Sequence, residues 1–218
     1  MDYLAQRKEM VKSQLENKGI HDPHVLAAFL KIPRHLFVPE DQKNLAYYDG
    51  PLPIGEHQTI SQPYVVAYMT QALNLLPSDK ILEIGTGSGY QAAILSLLVS
   101  EVYSVEIIAS LGPRATAVLK ELGLKNVHTR ISDGSFGWPE EAPFDGIIVT
   151  AAPEKLPIKL VEQLKIGGKI IIPVALGPLN QSLRIYTKMI QEEAPGYRLE
   201  ITELLPVLFV PMTGEIKD

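Results

Sequence analysis

The spacing of apolar positions changes near residue 80. Before it, Leu4, Met10, Val11 and Leu15 recur at helical intervals over about Asp2 to Asn17, and the pattern stops at Gly19. "HDPHVLAAFLKI" predicts a second helix, with Asp22 as its cap and Pro23 at the first helical position, where a missing N–H costs nothing. Pro33 and Pro39 bracket "RHLFV", and Tyr48 to Gly55 reads as a Pro/Gly-rich loop. A third helix is expected to start near Ser61 or Gln62 and to end before Pro77. This first part of the chain is therefore expected to be helical and irregular.

From Lys80 onward, short apolar runs alternate with helical patterns. "KILEIG", "EVYSVE", "NVHTRI", "FDGIIVTA" and "GKIIIPV" predict strands. Between them "YQAAILSLLV", "RATAVLKEL" (ending at Gly123) and "KLPIKLVEQL" (stopped by Gly167 and Gly168) predict helices. Strands that are apolar on both faces, separated by helices, belong to a parallel sheet covered on each side. The tail differs: "SLRIYTKMI" and "YRLEITELL" alternate around "APG", which predicts an antiparallel pair at one sheet edge. No repeat or low-complexity linker divides the chain. One domain is expected over residues 1–218, with a helical segment 1–79 leading into an α/β core 80–218.

Composition narrows the class. At 46% hydrophobic and 21% charged, the chain suits a soluble fold, and no apolar run approaches membrane-spanning length. "MDYLAQRKEM" lacks the apolar core of a signal peptide, so a cytoplasmic protein is expected. The absence of cysteine excludes disulfides and thiolate catalysis, and removes the ligands of most structural zinc sites. A net charge of −5 argues against broad nucleic-acid binding. The five histidines have no metal-binding spacing; only His57 lies near other candidate chemistry.

That chemistry begins at "LEIGTGSGY". Gly85, Gly87 and Gly89 fall between the first core strand and the next helix, where glycine lets backbone approach a ligand at a helix N-terminus. The dinucleotide fingerprint G-x-G-x-x-G requires glycine at position 90, which is Tyr90. A G-x-G-x-G turn suits instead an adenosine carrying an amino-acid tail, whose ammonium Glu83 is placed to meet. Glu106 ends the second core strand and suits the ribose hydroxyls; Asp133, in "SDG" after the third, suits an adenine amino group. Any one such acid is most often a solvated loop carboxylate. Three at consecutive strand ends around a glycine turn form a pattern.

These residues resemble the S-adenosylmethionine-dependent methyltransferases over about Lys80 to Val174. The resemblance implies a class I, Rossmann-like, doubly wound and mostly parallel α/β sheet. It also implies S-adenosylmethionine as cofactor, contacted by Glu83, Gly85, Thr86, Ser88, Gly87, Gly89, Glu106, Asp133 and Gly134. The fourth core strand is followed by "VTAAP" where methyltransferases of base amines carry an Asp/Asn-Pro-Pro-aromatic motif.

"IPRHLFVPE", "YYDGPLPIG", "QTISQP", "PFDGIIVTAAP" and "FVPMTG" extend the similarity along essentially the whole chain. Together they resemble the protein-L-isoaspartate O-methyltransferase family. Membership implies methylation of the α-carboxylate of isoaspartyl residues in aged proteins, with Ser61 catalytic and Thr59, Ile60 and Thr213 as further cofactor contacts. It implies isoaspartyl proteins and peptides as substrates, presented as flexible segments. A monomer without nucleic-acid or membrane partners is expected.

Ser61 reads otherwise as a helix cap, a common use of serine before a helix. A hydrolytic serine lacks the G-x-S-x-G elbow. Other readings are a methyltransferase of small molecules or RNA, a nicotinamide oxidoreductase, opposed by Tyr90, and a non-catalytic adenosine-binding module. "GEHQTIS" places His57 and Gln58 where the family leads one to expect glycine and glutamine. The order of the last strands stays open.

Overall fold

A computed structural model describes residues 2–177, 179–191 and 196–215. Asp2 caps α1 (Tyr3–Met10), which loosens through a π-helical turn and ends at Gly19 in the left-handed region, φ 94°. Asp22 caps α2 (Pro23–Lys31) by accepting from the His24 and Val25 N–H groups at 2.8 and 3.3 Å. The third helix, α3 (Pro63–Ala72), starts at Pro63, so Gln62 and not Ser61 takes the cap position.

The expected loop before α3 holds a hairpin, β1 (Leu52–Gly55) and β2 (Gln58–Ile60). Its two-residue turn places Glu56 (φ 53°) and His57 (φ 55°) in the left-handed region. Turns of that shape normally announce themselves by Asn-Gly or Gly-Gly. The pair Glu-His gives no such signal, which is why sequence patterning misses the hairpin. The family expectation of glycine beside Gln58 now has a physical reason, because His57 stands where a glycine would be unstrained.

The core is a seven-stranded sheet of β3 (Lys80–Ile84), β4 (Glu101–Glu106), β5 (Val127–Ile131), β6 (Phe144–Val149), β7 (Leu164–Gly177), β8 (Asn180–Ile190) and β9 (Tyr197–Val207). Their order is β5-β4-β3-β6-β7-β8-β9. Neighbours run parallel through β7; β8 is antiparallel to both β7 and β9, so it alone runs in reverse. The expected edge pair is present, in sequential order, and part of its "APG" link (Ala194, Pro195) lies outside the described residues.

Alternation along β3 sends Ile81 to one face and Leu82 and Ile84 to the other. Ile81, Val102 and Ile148 join one buried cluster with Met10, Leu15 and Phe29, and with Ile94 of α4 (Tyr90–Ser96). Leu119 of α5 (Leu111–Glu121) belongs to the same cluster. The opposite face packs Leu82, Ile147 and Ile170 against Leu160 and Val161 of α6 (Ile158–Glu162). That helix is shorter than expected and is not stopped by glycines: Lys188 Nζ donates to the Val161 and Leu164 carbonyls at 2.8 and 2.7 Å and closes its end. Gly167 and Gly168 lie inside β7, where a Cβ at Gly168 would sit 2.7 Å from the Asp145 carbonyl. Among the described residues, no helix is long and apolar enough to cross a membrane.

His57→Gly is expected to relieve left-handed strain and raise unfolding stability by about 0.5–1 kcal/mol, net of glycine's extra unfolded-state entropy. Urea denaturation of the two proteins measures this; a loss of stability would mean that the His57 side chain contributes more than its backbone costs.

Candidate active site

Strand order reverses between β3 and β6, since β4 and β5 lie on one side of β3 and β6 and β7 on the other. In such sheets the ligand crevice opens at the carboxyl ends of the strands at that point. A cleft of about 920 Å³, including its open mouth, lies there. Ile84, Gly85 and Val105 form its floor, Thr59 to Ser61 one wall, and Phe209 to Thr213 another.

The glycine turn is built by close approach. Gly85 has φ 95°, and a Cβ there would collide with the Thr150 hydroxyl, which itself donates to the Gly85 carbonyl at 2.8 Å. The Gly85 N–H donates to the Val105 carbonyl at 2.8 Å, docking the turn on β4. Gly87 (φ 53°) donates its N–H to Glu106 Oε2 at 2.7 Å, and Ile108 donates to Glu106 Oε1 at 2.9 Å. Glu106 is 5% exposed and still borders the cleft. It is the one charged side chain on the cleft wall among the described residues. Gly134 also borders the cleft; a Cβ there would collide with Ile84.

Thr59, Ile60, Ser61, Gly85, Thr86, Gly87, Ser88, Glu106, Gly134 and Thr213 are thus brought together on one cleft. Three expected cofactor residues are not. Gly89 (φ 87°) turns the other way, where its missing Cβ admits Ala115 at 3.2 Å and Leu119 at 3.4 Å; it serves helix packing. Asp133 stands behind Gly134, its carboxylate accepting from the Ser135 and Glu215 N–H groups at 2.8 and 2.7 Å. Burial pushes the Asp133 carboxyl up, but those bonds outweigh it and hold it below the usual carboxylate range. Glu83 is fully buried off the cleft, accepting from the Ser104 hydroxyl. Burial pushes it up to about 8, opposed by that bond and assisted by the nearby Glu106 charge. A side chain with no access to the cleft is not placed to meet the ammonium of a ligand within it.

Ser61 is half-buried at the junction of β2 and α3, with no capping bond from its hydroxyl. Its neighbour Gln62 is anchored: Gln62 Nε2 donates to Asp49 Oδ1 at 2.8 Å, and Lys18 pairs with the other Asp49 oxygen at 2.5 Å. Burial raises the Asp49 carboxyl, yet these two donors hold it below its ordinary value. The hairpin is tied to α5 by Arg114 Nη1 on the Ile54 carbonyl at 3.0 Å and by Ser110 on Glu56 at 2.8 Å. The loop carrying Ser61 is therefore held from both sides.

Sequence reasoning missed the apolar lining. Ile107 and Ile108 follow directly on the strand-ending Glu106, a placement that could have flagged them as a platform for an adenine face. Phe209 to Met212 lie in "FVPMTG", a segment read only for Thr213; the tail reaches the cleft through tertiary contacts, Ala152 N–H to Val210 O at 2.8 Å and Met212 N–H to Ala152 O at 2.9 Å. Tyr90 is 1% exposed, its ring edge-on to Phe29 and Phe37 at 5.9 and 5.4 Å. The dinucleotide fingerprint's last glycine has no counterpart at that position.

The family model of protein-L-isoaspartate(D-aspartate) O-methyltransferase matches residues 5–217. A protein-L-isoaspartate O-methyltransferase of Opitutus terrae is 53% identical over 96% of this chain and 88% of its own. One from a Picosynechococcus species is 49% identical over 97% and 91%. Among solved structures, a protein-L-isoaspartate O-methyltransferase superposes with a TM-score of 0.86 at 30% identity, covering 96% of this chain and 67% of that one. A Plasmodium falciparum structure of the same description, in complex with S-adenosyl-L-homocysteine, gives a TM-score of 0.79 at 25% identity, covering 95% and 98%. With the glycine turn, the strand-end acid and the Thr59–Ser61 wall on one cleft, the chain belongs to the protein-L-isoaspartate(D-aspartate) O-methyltransferase family.

Proposed function

We propose that this cleft transfers a methyl group from S-adenosylmethionine to the α-carboxylate of L-isoaspartyl residues, with Ser61 as the catalytic side chain. The observation that carries the reading is that Ser61, free of a capping role, opens on the same cleft as the glycine turn. The residues fit the cofactor: the cleft has room for an adenosine with an amino-acid tail, the Gly85–Ser88 turn and Gly134 border it, and Glu106 presents a carboxylate to a ribose. Thr59, Ile60, Thr86, Gly87, Ser88 and Thr213 complete the holding set. When bound, the cofactor supplies an electrophilic sulfonium methyl.

The chain's own task is alignment. A carboxylate is ionised near neutral pH, because its reference pKa lies about 3 units lower, so it attacks without a base. The Ser61 hydroxyl donates a hydrogen bond that orients it, and the apolar walls from Val66, Met69 and Ile108 keep the local dielectric low. That strengthens attraction between the acceptor's negative charge and the sulfonium. The methyl ester then closes spontaneously to a succinimide, whose hydrolysis returns part of the material to normal aspartate.

Residues 1–79 form the substrate-facing segment and 80–218 the cofactor-binding core of one domain. The enzyme works as a cytoplasmic monomer on flexible segments of damaged proteins, without nucleic-acid partners. Support comes from the acidic balance of the chain and from the shared buried cluster joining Leu15 and Phe29 to Ile81.

The decisive experiment offers radiolabelled S-adenosylmethionine and paired peptides that differ only in aspartate or isoaspartate. Base-labile label on the isoaspartyl peptide alone is expected; label on neither, with cofactor bound, would reassign the acceptor to a small molecule or RNA. Ser61→Ala should lower methyl transfer by about 10²–10³-fold, the scale of losing one oriented donor, with S-adenosylhomocysteine affinity nearly unchanged by calorimetry. Equal losses of both would place Ser61 in cofactor binding instead. Glu106→Ala should weaken S-adenosylhomocysteine binding by about 1.5–3 kcal/mol, and an unchanged dissociation constant would show that the ribose lies elsewhere.

A further inference from the structure

Three side chains form a buried line beneath the glycine turn. Glu83 on β3 sits opposite Ser104 on β4 and is hydrogen-bonded to its hydroxyl. Ser104 Oγ lies 2.6 Å from Thr86 Oγ1, and Thr86 borders the cleft. Glu83 and Ser104 are both 0% exposed, and Thr86 is 4% exposed. The other Glu83 oxygen, Oε1, has no side-chain partner or cation among the described residues. An ionised carboxylate in such a place would lack both water and a counter-charge, which costs several kcal/mol.

We propose that Glu83 works as an un-ionised acid that positions Thr86 through Ser104, and that it is a positioning residue and not the anionic partner of the cofactor's ammonium. The proposal rests on the reading that the cleft holds S-adenosylmethionine. An un-ionised carboxyl carries its own proton, so the three groups hold one proton more than their two mutual hydrogen bonds consume. In that state the carboxyl proton is donated to Ser104 and the Ser104 proton to Thr86, the reverse of the direction set by an ionised Glu83, and the hydroxyl of Thr86 is available to donate towards the cleft. Ionisation removes that proton, and both hydrogen bonds turn towards Glu83; Thr86 then faces the cleft only as an acceptor.

The surroundings favour the neutral form. Titratable side chains on the elements packed around Glu83 are Glu101, Tyr103 and Glu106 on β4, Asp145 on β6, Tyr64 and Tyr68 on α3, and Tyr90 on α4. Of these only Glu106 acts on it, and it does so as a like charge. Opposite on β6 stands Ile148, and the helical side offers the Ala92 backbone N–H. Burial and Glu106 together place the change of state near pH 8. Because the acid is neutral below that pH and charged above it, the loss of function falls on the alkaline side.

The test measures the affinity of wild type, Glu83→Gln and Ser104→Ala for two probes by calorimetry between pH 6 and pH 9. S-adenosylhomocysteine carries the ammonium; methylthioadenosine lacks the amino-acid tail. At pH 7, Glu83→Gln, a neutral isostere, is expected to bind both probes within about threefold of wild type, since no ionic contact is removed. Wild-type affinity for methylthioadenosine should fall by about tenfold from pH 7 to pH 9 and that of Glu83→Gln should stay flat. Ser104→Ala should weaken both probes at pH 7, because the line is cut in the middle. A Glu83→Gln protein that loses more than about tenfold for S-adenosylhomocysteine and nothing for methylthioadenosine would overturn the proposal and make Glu83 the ammonium's anion. A flat wild-type profile, or Ser104→Ala indistinguishable from wild type, would overturn it equally. Those last two readouts decide alone if Glu83→Gln fails to fold. Wild type that binds neither probe at any pH would instead overturn the cofactor reading on which the proposal rests.

Discussion

One carboxylate holds the site together. Glu106 takes the Gly87 N–H on one oxygen and the Ile108 N–H on the other, so a single side chain joins the turn after β3 to the turn after β4. A hydrogen bond to an ionised group is worth about 1.5–3 kcal/mol, more than a neutral one, and both loops would otherwise present unpaired N–H groups at a half-open cleft. The same carboxylate borders the cleft, and in the function proposed above its spare acceptor positions meet the ribose. On that proposal the structural clamp and the ligand contact are one group, and the clamp itself holds the two loops in register.

Around that clamp, elements distant in sequence close the cleft. The Ser61 loop is held through Gln62, Asp49 and Lys18 on one side and through Arg114 and Ser110 on the other. The tail is fastened by Ala152 and by Asp133, and Gln181 holds it at Phe209 through paired amide bonds of 2.9 and 2.7 Å. Most of the cleft is thus preformed by hydrogen bonds among backbone groups and short side chains, which suits a reaction limited by alignment. Asp133, expected to meet an adenine, accepts from the Ser135 and Glu215 N–H groups and so ties the tail to the turn after β5.

How much of this was legible in the sequence depends on where each signal resides. The core strands were readable because apolar runs and alternating helices are local patterns, and the caps at Asp22 and Gly19 were readable because single residue types carry them. Gly85 and Glu106 were singled out by the spacing of the glycine turn and the strand end, and Ser61 by its place in the family resemblance. The β1–β2 hairpin was hidden by Glu56 and His57, residues that adopt its turn without advertising it. The shortness of α6 depends on Lys188, 24 residues beyond Leu164, whose carbonyl it holds. The burial of Glu83 depends on its pairing with Ser104 across the sheet and has no local trace, and the motif segment that contains Phe209 does not show that its apolar side chains reach the cleft.

Gly85 and Gly89 belong to one motif and answer to different needs. The first keeps a ligand-facing turn clear of Thr150; the second lets α4 lie against Ala115 and Leu119 of α5. Lesions at the two positions would look alike in a crude extract, where both reduce total activity. Their causes differ in a cell: damage at Gly89 lowers the amount of enzyme that survives quality control, whereas damage at Gly85, where a side chain would be driven into Thr150, also disturbs the turn that faces the cleft. A motif read as a single functional signature thus carries two kinds of inherited defect, one of abundance alone and one of abundance and competence together.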